Sequence, residues 1–375
     1  CIRDRANCRW QKRKTGSRTI GSRPTKPGCP STNTYCPEDD VHPNEHHFWH
    51  PVCDASSLHQ APLSVQLLSQ PLVLWRDEQG KPQALHDQCP HRGAQLSLGR
   101  VCKGQLQCPY HGWTFDGAGQ CSQVPAMPQF KPGAAQQARA VAVQEAYGLV
   151  WVCLQTQAGS ALTTTEQTLP QFAAEAQSGL RKLNVGPYEV ATSAPRIVEN
   201  FLDMAHFGFV HAGWLGDAEH AAIPDYQVET TSHGFKLVNA QAWQPQSSVL
   251  ASQGAMVAYT YQVSHPYAAV LTKVPEANSG VKPGYEESIA LFIQAVSAEQ
   301  SRVWFRMAIA DFEISEDKVK DFQNTIFLQD KPVLESQRPK LLPLHAASEA
   351  HVAVDKGSVA YRRYLLAQGI VFGVC

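Results

Sequence analysis

Two groups of residues with metal-binding chemistry stand about a hundred positions apart in this chain. The first is Cys89-Pro90-His91, followed after sixteen residues by Cys108-Pro109-Tyr110-His111. The second is Asp203-Met204-Ala205-His206, followed by Phe207-Gly208-Phe209-Val210-His211. Each half of the first group supplies one thiolate and one imidazole. That composition suits a [2Fe-2S] cluster in which one iron takes two Cys and the other two His. In the second group, two neutral imidazoles lie close to a carboxylate. Such a set, with coordination positions left open, suits a single Fe(II) that handles O2.

Each group has a competing reading. A structural zinc site also uses Cys and His, but it favours paired cysteines followed by paired histidines, not alternating Cys-His pairs. In the loops, Pro90 and Pro109 add stiffness, and Gly93 and Gly112 let backbone N–H groups come close to the sulfur atoms. The second group taken alone is less specific, since two polar helix residues can simply be histidines. On a helix, Asp203 and His206 share a face, whereas His211 is rotated away. Gly208 offers a place for a bulge that turns both imidazoles to one metal.

The elements that must position these residues divide the chain. From Glu45 to about Leu154 the text reads as short strands and turns, with PLVLWRD, KPQALHD and WTFDGAGQCSQV as examples. Asp116-Gly117 is a hairpin signal, and YGLVWVCL (147–154) has the length of a buried strand. This predicts a small antiparallel β domain over 45–155. Residues 156–185 are expected as a connector and 186–370 as a second, α+β domain. In that domain, Pro195 to His211 has helical periodicity and residues 225–312 alternate like strands. Ser315-Glu316-Asp317 opens a helix toward Asp330 that Pro332 disturbs. Gly369 to Val374 has the length of one more buried strand. No internal repeat is visible.

Composition narrows the function classes. Of 32 Lys and Arg, nine fall in residues 1–28 beside one acid, Asp4; the remaining 23 face 32 acids, a net charge of −9. An acidic body argues against nucleic acid as a partner. Because the first Met is Met127, residues 1–44 are expected to be an unstructured or non-native leader. No apolar run reaches the length of a membrane span. The eleven cysteines show no disulfide-scaffold pattern. Compartment, whether cytoplasm or plastid stroma, is not legible.

The runs CPHRG (89–93) and CPYHGW (108–113) resemble the two loops of a Rieske domain, with Cys89, His91, Cys108 and His111 as cluster ligands. Tyr110 and Arg92-Gly93-Ala94 stand where respiratory Rieske proteins carry an extra disulfide. That resembles the oxygenase subtype, with a potential of roughly −150 mV. Glu199-Asn200-Phe-Leu-Asp203-Met-Ala-His206 through His211 resembles the iron-binding helix of Rieske non-haem iron oxygenases. Asp355 through Tyr361-Arg-Arg363-Tyr-Leu is similar to the C-terminal helix of the vanillate O-demethylase-like branch. His50 departs from the family pattern, in which Tyr commonly follows the Trp.

The resemblance implies an N-terminal all-β Rieske domain followed by an α+β catalytic domain with an antiparallel sheet and iron-binding helices. It implies an iron held by His206, His211 and a late carboxylate, for which Asp330 is chosen over Asp321 and Glu335. Asp203 would bridge to a cluster histidine of a neighbouring subunit in a homotrimer, and Asn200 would orient water or substrate. A flavin- or ferredoxin-type reductase would supply electrons, and O2 and a hydrophobic organic substrate would be the reactants of a monooxygenation. Phe201, Leu202, Phe207, Phe209 and Trp214 are candidates for a pocket lining. The alternative is a Rieske electron-transfer or redox-sensing subunit with a vestigial iron site.

Overall fold

The computed structural model describes residues 44–155, 169–248, 251, 253–276, 279–281, 285–345 and 347–375. Apart from Asn44, the expected leader lies outside the described residues, as does much of the expected connector.

The N-terminal part is built from ten strands: β1 (His50–Asp54), β2 (Leu63–Leu67), β3 (Gln70–Arg76), β4 (Pro82–His86), β5 (Arg100–Cys102), β6 (Gln105–Gln107), β7 (Thr114–Phe115), β8 (Cys121–Gln123), β9 (Ala142–Ala146) and β10 (Leu149–Cys153). They form three small antiparallel sheets, in the orders β1-β10-β9, β2-β3-β4 and β5-β6-β7-β8. The Asp116-Gly117 signal is realised between β7 and β8, where Asp116 accepts the N–H groups of Ala118 and Gln120 on one carboxylate oxygen. β10 is buried along its whole length, as its uninterrupted apolar run requires.

The second part is one seven-stranded antiparallel sheet, in the order β11-β17-β16-β15-β14-β13-β12. Its strands are β11 (Arg181–Val190), β12 (Gln227–Thr231), β13 (Gly234–Gln244), β14 (Ala255–His265), β15 (Ala268–Pro275), β16 (Glu287–Ser297) and β17 (Gln300–Ile309). Helices α1 (Ala194–Leu202), α2 (Phe207–Val210), α3 (Glu316–Ser336) and α4 (Lys356–Ala367) complete it, with α1 packed on β15 and β16. Among the described residues no helix is long and apolar enough to cross a membrane.

The run Ile289 to Ile293 in β16 is apolar throughout because both faces are covered. One face carries Ile289, Leu291 and Ile293 into the core shared with α1. The other carries Ala290 and Phe292 against Trp151 of β10 and Trp304 of β17. Hydrogen bonds stitch the same strand to the hairpin after β2. Leu68 and Ser69, both at positive φ, donate their N–H groups to Ala295 O and Val296 O at 2.7 and 3.0 Å. The Gln294 side chain donates to Gln66 O at 2.9 Å.

Four local expectations are corrected. The segment Pro195 to His211 is not one helix: α1 stops at Leu202, and a four-residue break precedes α2. α3 runs through Pro332 to Ser336, because Phe327 and Asp330 before the proline and Leu334 after it are buried. That packing outweighs the roughly 3 kcal/mol a helix-interior proline costs. Gly369 to Val374 is irregular apart from one bridge, Val374 to Leu342. β11 begins at Arg181, within the stretch read as connector.

Candidate iron site, cluster loops and cavity

The break after α1 is what brings the candidate metal ligands together. Asp203 is extended (φ −88°, ψ 129°), so the chain leaves the helix there. Its Oδ1 accepts the Ala205 N–H at 2.7 Å and closes a tight turn. A single helical turn then follows, with Val210 N–H bonding His206 O and His211 N–H bonding Phe207 O. His206 enters this turn and His211 leaves it, and their Nε2 atoms meet at 3.1 Å. Gly208 is not the bulge expected of it. A Cβ there would sit 2.6 Å from Asp217 O, so the glycine admits a close backbone crossing instead.

Asp330 on α3 completes the set. Its Oδ1 lies 3.4 Å from His206 Nε2 and 3.3 Å from His211 Nε2. These three side chains offer ligand atoms all within 4.8 Å of one another. Metal–ligand bonds of about 2.1 Å at near-right angles place donors about 3 Å apart, so the spacing fits one metal bound on one side. Asp321 is exposed, and Glu335 accepts the Ala191 N–H at 3.0 Å; neither joins the set.

The two rings are oriented from behind, and the carboxylate is held at the oxygen that faces them. Asp203 Oδ2 faces His206 Nδ1 at 3.1 Å, and Gln329 Oε1 faces His211 Nδ1 at 2.9 Å. With Nδ1 committed as donor, both Nε2 lone pairs face the common point, the arrangement expected of metal-bound imidazole. Asn200 Nδ2 donates to Asp330 Oδ1 at 3.2 Å. Asn200 thus touches the carboxylate first. Sequence reasoning missed Gln329, and the only available signal was its place beside Asp330.

The set opens on a cavity of about 690 Å³, mouth included. The sheet lines it with Tyr259, Tyr261, Leu271, Ile289, Leu291 and Phe305, and α3 with Phe322, Ile326 and Phe327. Of the aromatic and aliphatic candidates, Phe201 and Phe207 line it. Leu202 and Trp214 pack into the core instead, and Phe209 points outward, 69% exposed. Burial, reinforced by the Glu287 carboxylate, pushes the Tyr259 phenol far up, so it stays neutral. The cavity has the size and mostly apolar character of a small-molecule site.

The two Cys-His loops repeat one backbone pattern. Cys89 N–H bonds Ala94 O and Gly93 N–H bonds Cys89 O; Cys108 N–H bonds Trp113 O and Gly112 N–H bonds Cys108 O. Both glycines sit at φ near +70° (70° and 71°), which closes each loop where a side chain would be strained. Cys89 and Cys108 are buried, and the N–H groups of His91 and Arg92 point at the Cys89 sulfur. The glycines therefore shape the turn, and the residues between supply the donors. His91 and His111 lie 4.5 Å apart by ring centroid, and His91 stacks on Trp113 at 4.4 Å. His91 Nδ1 is buried with no partner in the protein, an orphan that a metal bond would satisfy. Burial also pushes the Cys89 thiol up to about 11, so a metal is needed to hold it as thiolate. The donor set fits a [2Fe-2S] cluster.

Comparisons with known proteins agree with this geometry. The Rieske [2Fe-2S] domain family matches residues 48–144, and the vanillate O-demethylase oxygenase C-terminal domain matches residues 190–368. The chain is 34% identical over 328 residues to methylxanthine N1-demethylase NdmA of Pseudomonas putida, covering 85% of this chain and 88% of that protein. It is 27% identical over 316 residues to a vanillate O-demethylase oxygenase subunit of Pseudomonas sp. (strain ATCC 19151), covering 78% and 92%. The structure of Pseudomonas putida NdmA with caffeine superimposes with a TM-score of 0.73 at 31% identity, covering 86% of this chain and 90% of that one. The intact triad and its cavity do not favour a vestigial iron site. The chain belongs to the Rieske non-haem iron oxygenases, oxidoreductases that combine a [2Fe-2S] cluster with a mononuclear iron to oxidise hydrophobic organic substrates with O2.

Proposed function

We propose that this oxygenase demethylates a methylated heteroaromatic compound. The observation that carries the reading is the His206–His211–Asp330 triad opening into an apolar cavity. Relatives named as methylxanthine N1- and N3-demethylases point to the substrate class. In this reading residues 45–155 are the cluster domain and 186–370 the catalytic domain. Cys89, His91, Cys108 and His111 hold the cluster, and His206, His211 and Asp330 hold the iron.

When bound, the iron supplies the site of O2 reduction and the cluster supplies electrons one at a time. One O2, two electrons and two protons convert a methyl C–H to a hydroxymethyl group and release one water. The bond from the heteroatom to the hydroxymethyl carbon then breaks, releasing formaldehyde and leaving the hydroxyl proton on the heteroatom. The protein's own contribution is placement. Asn200 fixes the Asp330 carboxylate, Gln329 and Asp203 fix the two rings, and the aromatic walls exclude water from the reacting carbon.

Asp203 has a second role in this proposal. In a head-to-tail homotrimer its carboxylate meets His111 of the neighbouring subunit, which gives electrons a short route between subunits. His111 is exposed, as docking on a neighbour requires. A flavin- or ferredoxin-type reductase supplies the electrons.

The test is to purify the protein anaerobically and count iron and acid-labile sulfide. About three iron and two sulfide per chain are expected. Asp330→Ala should drop iron to about two with sulfide unchanged. With a reductase and caffeine, the intact protein should release formaldehyde. Two iron in the wild type after Fe(II) is added back would leave an electron carrier and sink the reading.

A further inference from the structure

The sheet under the cavity changes character from row to row. On one face, Tyr261 of β14, Leu271 of β15 and Ile289 of β16 lie abreast, and Leu291 lies abreast of Phe305 on β17. The row on the other side of Leu271 is Tyr259, Lys273 and Glu287. Lys273 therefore occupies an inward position that alternation reserves for an apolar residue. It is 4% exposed and lines the cavity.

Lys273 Nζ lies 3.0 Å from Glu287 Oε2, and both side chains are 6% exposed. It also stands 5.9 Å from the centre of the Phe322 ring on α3. Among the described residues Glu287 is the partner recorded for the ammonium, which has three donors to give. Stability does not explain the pair, since apolar residues of similar volume usually serve a core at least as well. What the pair provides is a hydrogen-bond donor inside a cavity that is otherwise mostly apolar.

Building on the oxygenase reading, we propose that Lys273, held by Glu287, selects the substrate by donating a hydrogen bond to a neutral acceptor, such as a ring carbonyl. The charge count decides for a neutral group over a carboxylate. Glu287 already balances the ammonium, and an anionic substrate would add a second buried negative charge facing one positive charge. A neutral carbonyl accepts a donor without that penalty. An apolar ring with no acceptor leaves the donor unmatched and binds more weakly.

The test compares the metal-loaded wild type with Lys273→Met/Glu287→Met, which removes both charges together and leaves neither one stranded. Three probes are used in equilibrium dialysis: caffeine (neutral, with carbonyls), 1-methylindole (neutral, without) and 4-methoxybenzoate (anionic). The wild type should bind caffeine about ten- to a hundredfold more tightly than 1-methylindole, the range of a hydrogen bond to a charged group. The double variant should keep its iron and lose that preference. Equal discrimination in the variant, no caffeine preference in the wild type, or a preference for 4-methoxybenzoate would each overturn the assignment. The iron count separates the two levels. About three iron with unchanged discrimination sinks only the role of Lys273, whereas two iron in the wild type sinks the oxygenase reading beneath it.

Discussion

Asp203 holds His206 with one carboxylate oxygen, at 3.1 Å from Nδ1, and uses the other to bind the Ala205 N–H at 2.7 Å. The residue that ends α1 is thus the residue that sets the tautomer of the first imidazole. Asp203→Asn keeps the turn acceptor and removes the charge. Loaded with excess Fe(II), the variant should still reach about three iron per chain and lose about ten- to a hundredfold in turnover, as removing a metal ligand's outer partner does. Full activity in a steady-state formaldehyde assay would show that the carboxylate has no part in turnover.

Gln329 plays the matching part for His211. Gln329→Leu leaves Nδ1 without its acceptor at a buried site. Fe(II) affinity of the mononuclear site should fall about ten- to a hundredfold while sulfide stays at two per chain. Titrating iron-depleted protein with Fe(II) reads this directly, and an unchanged midpoint would contradict it.

Trp113 lies parallel to His91, 4° between planes and 4.4 Å between centroids. Trp113→Leu removes that stack without touching a ligand. Stacking of this kind contributes about 0.5–1.5 kcal/mol, so cluster loss in air should speed up about two- to tenfold. Sulfide content followed over time measures it; an identical decay would place His91's support elsewhere.

Buried histidines should weaken the fold as pH falls. Burial holds His50 down at about 4, against the pull of its bond to Glu45 O, with His46 adding to the depression. His86 is likewise lowered to about 4 by burial, and His265, beside His50, well below its ordinary value. A histidine that is neutral when folded and protonated when unfolded contributes its full stability above about pH 6.5. That contribution is lost as pH falls toward 4. For His50 alone the loss is about 2 kcal/mol between pH 6.5 and 5. His50→Gln should therefore show a shallower fall in Tm over that interval than the wild type. Parallel curves would mean that His50 does not titrate on unfolding.

The candidate ligands were legible because each set lies in a short run whose residue types have few other uses. Cys89, His91, Cys108 and His111 sit on loops closed within five residues, and His206 and His211 flank one helical turn. Asp330 needed the family resemblance, since three acids on or beside α3 look alike until the fold brings one to the histidines. The break at Asp203 was not legible: the run from Pro195 reads as one continuous helix, and the turn depends on a side-chain bond to Ala205. β15, Ala-Ala-Val-Leu-Thr-Lys-Val-Pro, lies within the 225–312 run read as alternating strands, but the lysine on its inward face was not legible. That lysine has a place only once Glu287 of the next strand lies beside it.

The strand β16 has its first residue, Glu287, in the row beside the cavity and its last turnings, Gln294 to Val296, bonded to the hairpin at Gln66 to Ser69. Recombination therefore meets a constraint in this chain. The hairpin takes part through backbone groups only, so a graft would leave the Gln294 amide and two carbonyls of β16 without partners where it changes the hairpin's length or brings proline to position 68 or 69. Those groups sit on the strand that also lines the cavity with Ile289 and Leu291. A productive chimaera must keep Gln294 and the backbone course of residues 66–69.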